Sequence, residues 1–392
     1  MKTLRCLLAP GKEKPVIQRH PWIFSGAIDQ IEEGYASGDL VRVFSSREQF
    51  LGIGYLNPGS QIAVRMLAFE DVPIDEGFFD RRIAQAAALR RRWLPPVTNA
   101  YRLVHAEGDF LPGLIVDAYG DFLVVQFLTA GIEVWKEVIV RSLQKQFPSL
   151  GVFEKSDSDL RRLEGLGRSL GALVGPEPPE TVEILENGIA FGVDVRGGQK
   201  TGFFLDQRES REAVRRLSAG KNVLNCFAYT GGFSVYAAKG EARTVVSVES
   251  SATAVQRGRE NCLKNHLDAQ QSVWAQQDVF DYLRHMDRQF DLIILDPPAF
   301  CKSKQQVRQA ARGYKDINLQ ALKRVSQGGM LCTFSCSSHI SPELFQKILF
   351  GAAADAKRDV RILRKISHAF DHPINVYHPE GEYLKGFFCE VL

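Results

Sequence analysis

The 392-residue sequence has no apolar run close to the roughly 18 residues that a membrane helix needs, which argues against a membrane-spanning role. Its N-terminal apolar patch is shorter than a signal-peptide core of about 7–15 residues, so the cytoplasm is the expected compartment. The seven cysteines (Cys6, Cys226, Cys262, Cys301, Cys332, Cys336 and Cys389) are odd in number and scattered. With no C-x-x-C and no His/Cys pair at zinc spacing, neither a disulfide framework nor a metal site is expected. The thiols are therefore expected to be reduced, and any of them is available as a nucleophile. Lys and Arg outnumber Asp and Glu only 49 to 46, so net charge does not mark a polyanion binder. Local clusters carry more weight: Arg81-Arg82, Arg90-Arg91-Arg92, Arg161-Arg162, and a basic loop from Lys302 to Lys315.

The composition, 45% apolar and 24% charged, is that of a soluble globular protein. The length calls for two or three domains. Residues 1–72 read as all-β: Asp39–Phe44 and Gln61–Met66 alternate apolar and polar, and glycines punctuate them. The cluster His20-Pro21-Trp22-Ile23-Phe24 beside Arg19 suits core packing better than base stacking. Residues 73–178 read as a central α+β domain, with a helix from Ile74 to Trp93 closed by Pro95-Pro96 and another near Ile132–Gln146. The proline-rich 175–180 segment is the natural joint. Within 179–392, a β-hairpin over 181–192 turns at Asn187-Gly188. Strands and helices then alternate to the end, implying a doubly wound, largely parallel, Rossmann-like α/β sheet.

The four apolar residues Leu292–Leu295 run into Asp296-Pro297-Pro298, followed by Phe300. Such a run reads as a buried parallel strand, and the edge beyond its C-terminal end is where open α/β sheets hold ligands. The loop after the first strand, Asn225 to Ser234, contains Gly231-Gly232 at the start of a helix. It is neither G-x-G-x-x-G nor a Lys-containing phosphate loop, so a pyrophosphate ligand is disfavoured. Glu249, about 20 residues on, is placed to accept from ribose hydroxyls. Asp278, after the third strand, is placed to meet an adenine amino group. Each acid alone also fits a helix cap; their succession at strand ends favours a ligand site.

Together these segments resemble a class I S-adenosylmethionine-dependent methyltransferase. More narrowly, the chain is similar to the bacterial family of large-subunit ribosomal RNA cytosine-C5 methyltransferases. The resemblance rests on KTGFFLDQR (200–208), LNCFAYTGGFSV (224–235), DPPAF (296–300), RGYKDIN (312–318), TFSCSS (333–338) and PEGEYLKGF (379–387). It implies an N-terminal PUA-like RNA-binding domain, S-adenosyl-L-methionine as cofactor and ribosomal RNA as partner. A homodimer is left open. The cofactor residues implied are Asn225, Phe227, Ala228, Tyr229, Thr230, Gly231, Gly232, Glu249, Asp278 and Asp296, with Phe204, Gln207 and Arg208 closing over it. Cys336 and Asp296 are the implied catalytic pair. The substrate side is given to Pro297, Pro298, Phe300, Lys302, Arg312, Tyr314 and Lys315.

Chemistry supports the choice of Cys336. Cytosine C5 is too weak a nucleophile to take a methyl group unaided, and a thiolate adding at C6 makes it enamine-like. Cys336 follows the apolar stretch Met330–Phe334, whereas Cys226 reads as packing. Cys301 stands two residues beyond the position that a release cysteine takes in related enzymes, and is expected to be dispensable. Three other readings stay open: methylation of a base nitrogen such as guanine's, a non-catalytic RNA-binding protein, and a methyltransferase for a small molecule or protein.

Overall fold

The computed structural model describes residues 3–301 and 303–392, so Lys302, expected on the substrate side, lies outside the described residues. The chain forms two compact units. The first comprises Met1–Asn187, Val193–Leu205 and Phe370–Gly381; the second comprises Gly188–Gly192, Asp206–Ala369 and Glu382–Leu392.

The first unit contains a six-stranded and a five-stranded sheet. Thr3–Leu8 pairs in parallel with Leu40–Phe44 and antiparallel with Ile28–Ile31, and it alternates exposed and buried residues so that Leu4, Cys6 and Leu8 face a core. The second sheet runs from Ala100–His105 to Ser169–Val174, covered by the helix Glu76–Trp93 through Phe78, Phe79, Ile83, Ala86 and Ala87. Asp75 caps that helix, accepting from the Phe78 backbone at 2.9 Å. The helix expected over Ile132–Gln146 is two helices, Ala130–Val134 and Lys136–Gln146, interrupted at Trp135.

Two of the basic clusters are divided by burial. Arg90 is 1% exposed and grips Asp109 through both terminal nitrogens, at 2.5 and 2.7 Å. Arg161 is buried against Glu133 at 2.8 Å. These guanidiniums are structural rather than phosphate-facing, leaving only Arg91, Arg92 and Arg162 of those clusters exposed. Trp22 is half-buried, donates to Glu107 Oε1 at 2.8 Å and meets His378 edge-on, in keeping with a packing role.

The second unit is one twisted sheet with helices on both faces. Its elements, in chain order, are α1 (Arg208–Leu217), β1 (Asn222–Cys226), α2 (Gly232–Lys239), β2 (Thr244–Glu249), α3 (Ala252–Lys264), β3 (Ser272–Gln276) and α4 (Val279–His285). They continue with β4 (Phe290–Leu295), α5 (Val307–Arg324), β5 (Val325–Ser335), α6 (Pro342–Ala356), β6 (Val360–Ile366) and β7 (Lys385–Val391). The strand order is β3-β2-β1-β4-β5-β7-β6, with β7 antiparallel to both neighbours. In β4, Leu292 and Ile294 pack with α1 and α2 while Ile293 and Leu295 pack with α5 and α6, which is why the run is apolar throughout.

Two expectations shift here. The basic loop expected over 302–315 is helical from Val307, because Ala310, Tyr314 and Ile317 continue the apolar stripe of α5 toward its N-terminus. The edge strand β6 carries Arg361, Arg364 and Lys365 with no residue fully buried, so it lacks the apolar pattern that reveals a strand.

Candidate functional site

Strands β1 to β5 run parallel, so their C-terminal ends share one edge. The loop leaving β1 is shaped by backbone rather than by side chains. Asn225 is 1% exposed and donates to Ser234 Oγ at 2.8 Å, pinning the strand to α2. Ala228 and Thr230 are also buried. All three are among the expected cofactor residues, and each is buried in the ligand-free chain. Phe227, Tyr229 and Gly231 take φ of +59, +46 and +84. Left-handed backbone at two non-glycine residues is costly, about 1–3 kcal/mol each, and clusters at ligand clamps. The loop is held by its own donors: the Ala228 N–H donates to the Val248 carbonyl at 3.1 Å and the Gly231 N–H to the Ala228 carbonyl at 2.9 Å. Gly231 is needed at its positive φ, and a Cβ there would also stand 3.0 Å from Trp274 Cζ2. Gly232 opens α2.

Glu249, at the end of β2, holds this loop from the other side. Its Oε2 accepts from the Tyr229 N–H at 3.0 Å and its Oε1 from the Ser251 N–H at 2.8 Å. Asp278 is exposed and caps α4 through Oδ1, which accepts from the Asp281 N–H at 3.1 Å. Asp278 thus does the capping work that the sequence allowed as an alternative, whereas Glu249 braces the loop and the α3 cap residue Ser251.

Asp296, half-buried at the end of β4, accepts from Gln207 Nε2 at 2.9 Å. Gln207 is 2% exposed, and its Oε1 is a buried acceptor with no partner among the described residues. Arg208 is buried at the start of α1, where it meets Glu209 at 3.2 Å. Phe204 belongs to the first unit, its ring beneath Lys200 Nζ.

Phe300 is half-buried among Phe280, Phe227 and Tyr314, the last at 4.7 Å between ring centroids. Tyr314, expected on the substrate side, has no exposed surface; its hydroxyl meets Ser337 Oγ at 2.9 Å, so it supports Phe300 and the turn after β5. Lys315 is engaged with Asp355 at 2.8 Å. Among the described residues of this stretch, Lys304, Arg308 and Arg312 are the exposed cations. Pro298 is exposed, whereas Pro297 is buried and presents its carbonyl oxygen 3.9 Å from Cys336 Sγ.

Among the described residues, which include all seven cysteines, six are buried and Cys336 alone is half-buried. Burial pushes the Cys6 and Cys389 thiols up to about 12 and raises those of Cys226, Cys262 and Cys332, making them inert. Cys301 is 3% exposed and points at the Ser303 carbonyl. Sequence reasoning passed over Lys385, which sits opposite Ser335 in the β5–β7 register and is 3% exposed. Its signal was a lone charge in the apolar run Leu384-Lys385-Gly386-Phe387-Phe388. No group of three or more His, Cys, Asp or Glu among the described residues is arranged to hold a metal ion.

This edge offers groups suited to a nucleoside-bearing sulfonium ligand: a fixed loop after β1, carboxylates at three strand ends, and an orphaned buried amide oxygen at Gln207. The family model described as S-adenosylmethionine-dependent methyltransferase matches residues 166–366, and the one described as a PUA-like domain matches residues 7–69. The ribosomal RNA large subunit methyltransferase I of Erwinia tasmaniensis is 43% identical over 396 residues, covering 100% of both chains. The protein of the same name from Klebsiella pneumoniae is 44% identical over 394 residues, covering 99% of this chain and 98% of its own. Among solved structures, SMU.776, described as a methyltransferase and complexed with SAH, superposes with a TM-score of 0.86 at 27% identity over 100% of both chains.

Proposed function

Because the chain belongs to the ribosomal RNA large subunit methyltransferase I family of S-adenosylmethionine-dependent methyltransferases, we propose that it makes 5-methylcytosine in large-subunit ribosomal RNA through a Cys336–C6 adduct. The observation that carries this reading is the half-exposed Cys336 at the ligand edge, against six buried cysteines. A base nitrogen already holds a lone pair and needs no thiol, so a guanine-directed enzyme would have no use for this side chain.

The cofactor supplies its methyl group as an electrophile, and it would be held by the 227–232 backbone with Glu249, Asp278, Gln207 and Asp296. The target cytosine leaves its stack to reach the edge. The Cys336 thiolate adds to C6, and the displaced π pair makes C5 nucleophilic. Once C5 carries the methyl group it gives its proton to solvent water, the C–H pair re-forms the C5–C6 double bond, and the C6–S bond breaks to return the thiolate. Asp296, oriented by Gln207, would hydrogen-bond the base near N3 and N4 as charge develops. Phe300, backed by Tyr314, gives the base an apolar wall. The exposed Lys304, Arg308 and Arg312 are suited to RNA phosphates, and the PUA-like 7–69 segment supports an RNA partner. Cys301 has no part in this scheme: it is buried and turned toward Ser303.

The test is Cys336→Ala. It should abolish 5-methylcytosine formation on ribosomal RNA while leaving affinity for S-adenosylhomocysteine intact. Full methylation by that variant would end the covalent mechanism.

A further inference from the structure

The chemistry above makes no use of the buried charge of Lys385. Lys385 opens β7, and its Nζ donates to the carbonyl oxygens of Ser337 and Ile340, both at 2.6 Å. Those two carbonyls lie in the turn that begins at Cys336. Lysine is rarely buried unless it is paired, and a neutral donor would satisfy two carbonyls at lower cost. What an ammonium adds is a full positive charge on the turn that carries the Cys336 thiol, within electrostatic reach of its sulfur. The Cys336 sulfur and the Lys385 ammonium each favour the other's charged form, and Glu382 acts on Lys385 in the same direction. Tyr314, behind the same turn, also feels the sulfur's charge, which opposes ionisation of its phenol.

We infer that Lys385 is a positioning residue for methyl transfer, fixing the 336–340 turn and holding Cys336 as the thiolate that adds to C6. The inference rests on Cys336 being the nucleophile. The thiol proton goes to solvent as the thiolate forms, and Lys385 keeps its own. When the C6–S bond breaks, sulfur departs with the bonding pair and the ammonium stabilises it again. Burial lowers Lys385 to about 8, so the charge is in place at neutral pH and is lost above that value.

The test reads the thiol directly, in the full chain without RNA. Iodoacetamide alkylation of Cys336 is followed by peptide mass spectrometry from pH 5.5 to 9, the other cysteines being buried. The wild-type midpoint should lie below the ordinary thiol value of about 8.5. Lys385→Met should raise that midpoint and slow alkylation about tenfold at pH 7, and Lys385→Arg should restore most of it. In methyl transfer, Lys385→Met should lower kcat and move its acid limb upward, with KM for RNA unchanged. A wild-type midpoint at or above about 8.5 overturns the inference, and so does an unshifted midpoint in Lys385→Met. The wild-type measurement stands even if the methionine variant does not fold. Methylation by Cys336→Ala would instead sink the nucleophile reading while leaving the alkylation series interpretable.

Discussion

Gln207 Nε2 donates to Asp296 Oδ1 at 2.9 Å, so the acid at the end of β4 is oriented by the residue just before α1. A hydrogen bond to a charged group is worth about 1.5–3 kcal/mol, and its loss leaves the carboxylate free to turn. Gln207→Leu should therefore lower kcat roughly tenfold to a hundredfold. Steady-state methylation of ribosomal RNA measures this, with circular dichroism as the check on folding. An unchanged rate would show that the orientation of Asp296 is immaterial.

Glu249 ties the ligand loop to β2 through the Tyr229 N–H. Removing the carboxylate frees a strained loop as well as deleting an acceptor. Isothermal titration with S-adenosylhomocysteine should show no measurable binding to Glu249→Ala, and weakened binding to Glu249→Gln, which keeps one acceptor oxygen. Wild-type affinity in the alanine variant would remove Glu249 from the cofactor site.

Gly231 meets two demands at once, a φ of +84 and the Trp274 ring 3.0 Å from where a Cβ would stand. Gly231→Ala should destabilise the second unit by about 1–3 kcal/mol through backbone strain alone. Urea denaturation followed by tryptophan fluorescence reads both the loss and any displacement of Trp274. A variant as stable as wild type would mean that the loop relaxes freely.

Arg90 and Asp109 pair in the first unit with side chains 1% and 6% exposed. Deleting one partner of such a pair strands the other charge, at a cost of about 3–5 kcal/mol. Asp109→Ala should lose stability on that scale in thermal melts, while Arg91→Ala, at an exposed neighbour, should stay near wild type. Equal effects would argue that burial of Arg90 is incidental.

How much was legible in the sequence follows from what each residue's signal depended on. β4 was readable as an apolar run into Asp-Pro-Pro. β6 was not, since an edge strand can carry Arg361, Arg364 and Lys365 without burying any of them. Strand ends suggested the candidate site positions, but not the burial of Asn225 and Tyr314 or their hydrogen bonds to Ser234 and Ser337. Local sequence cannot say which way a polar side chain points once its strand is buried on both faces. The positive φ of Phe227 and Tyr229 had no signal either, because neither residue type favours that region.

The buried lysine makes a prediction about stability as well as rate. Burial lowers Lys385 to about 8, whereas an unfolded lysine titrates near 10.4. Below about 8 both states are charged and the folded state bears the whole burial penalty. Between about 8 and 10.4 the unfolded chain binds more protons, so this site's contribution to stability rises with pH. Lys385→Met removes the titration and loses the bonds to Ser337 and Ile340 at every pH. The Tm difference, variant minus wild type, should therefore become steadily more negative between pH 7.5 and 10. Paired calorimetric scans in matched buffers test the sign, and a difference that stays flat or moves the other way would mean that Lys385 is not the group titrating there.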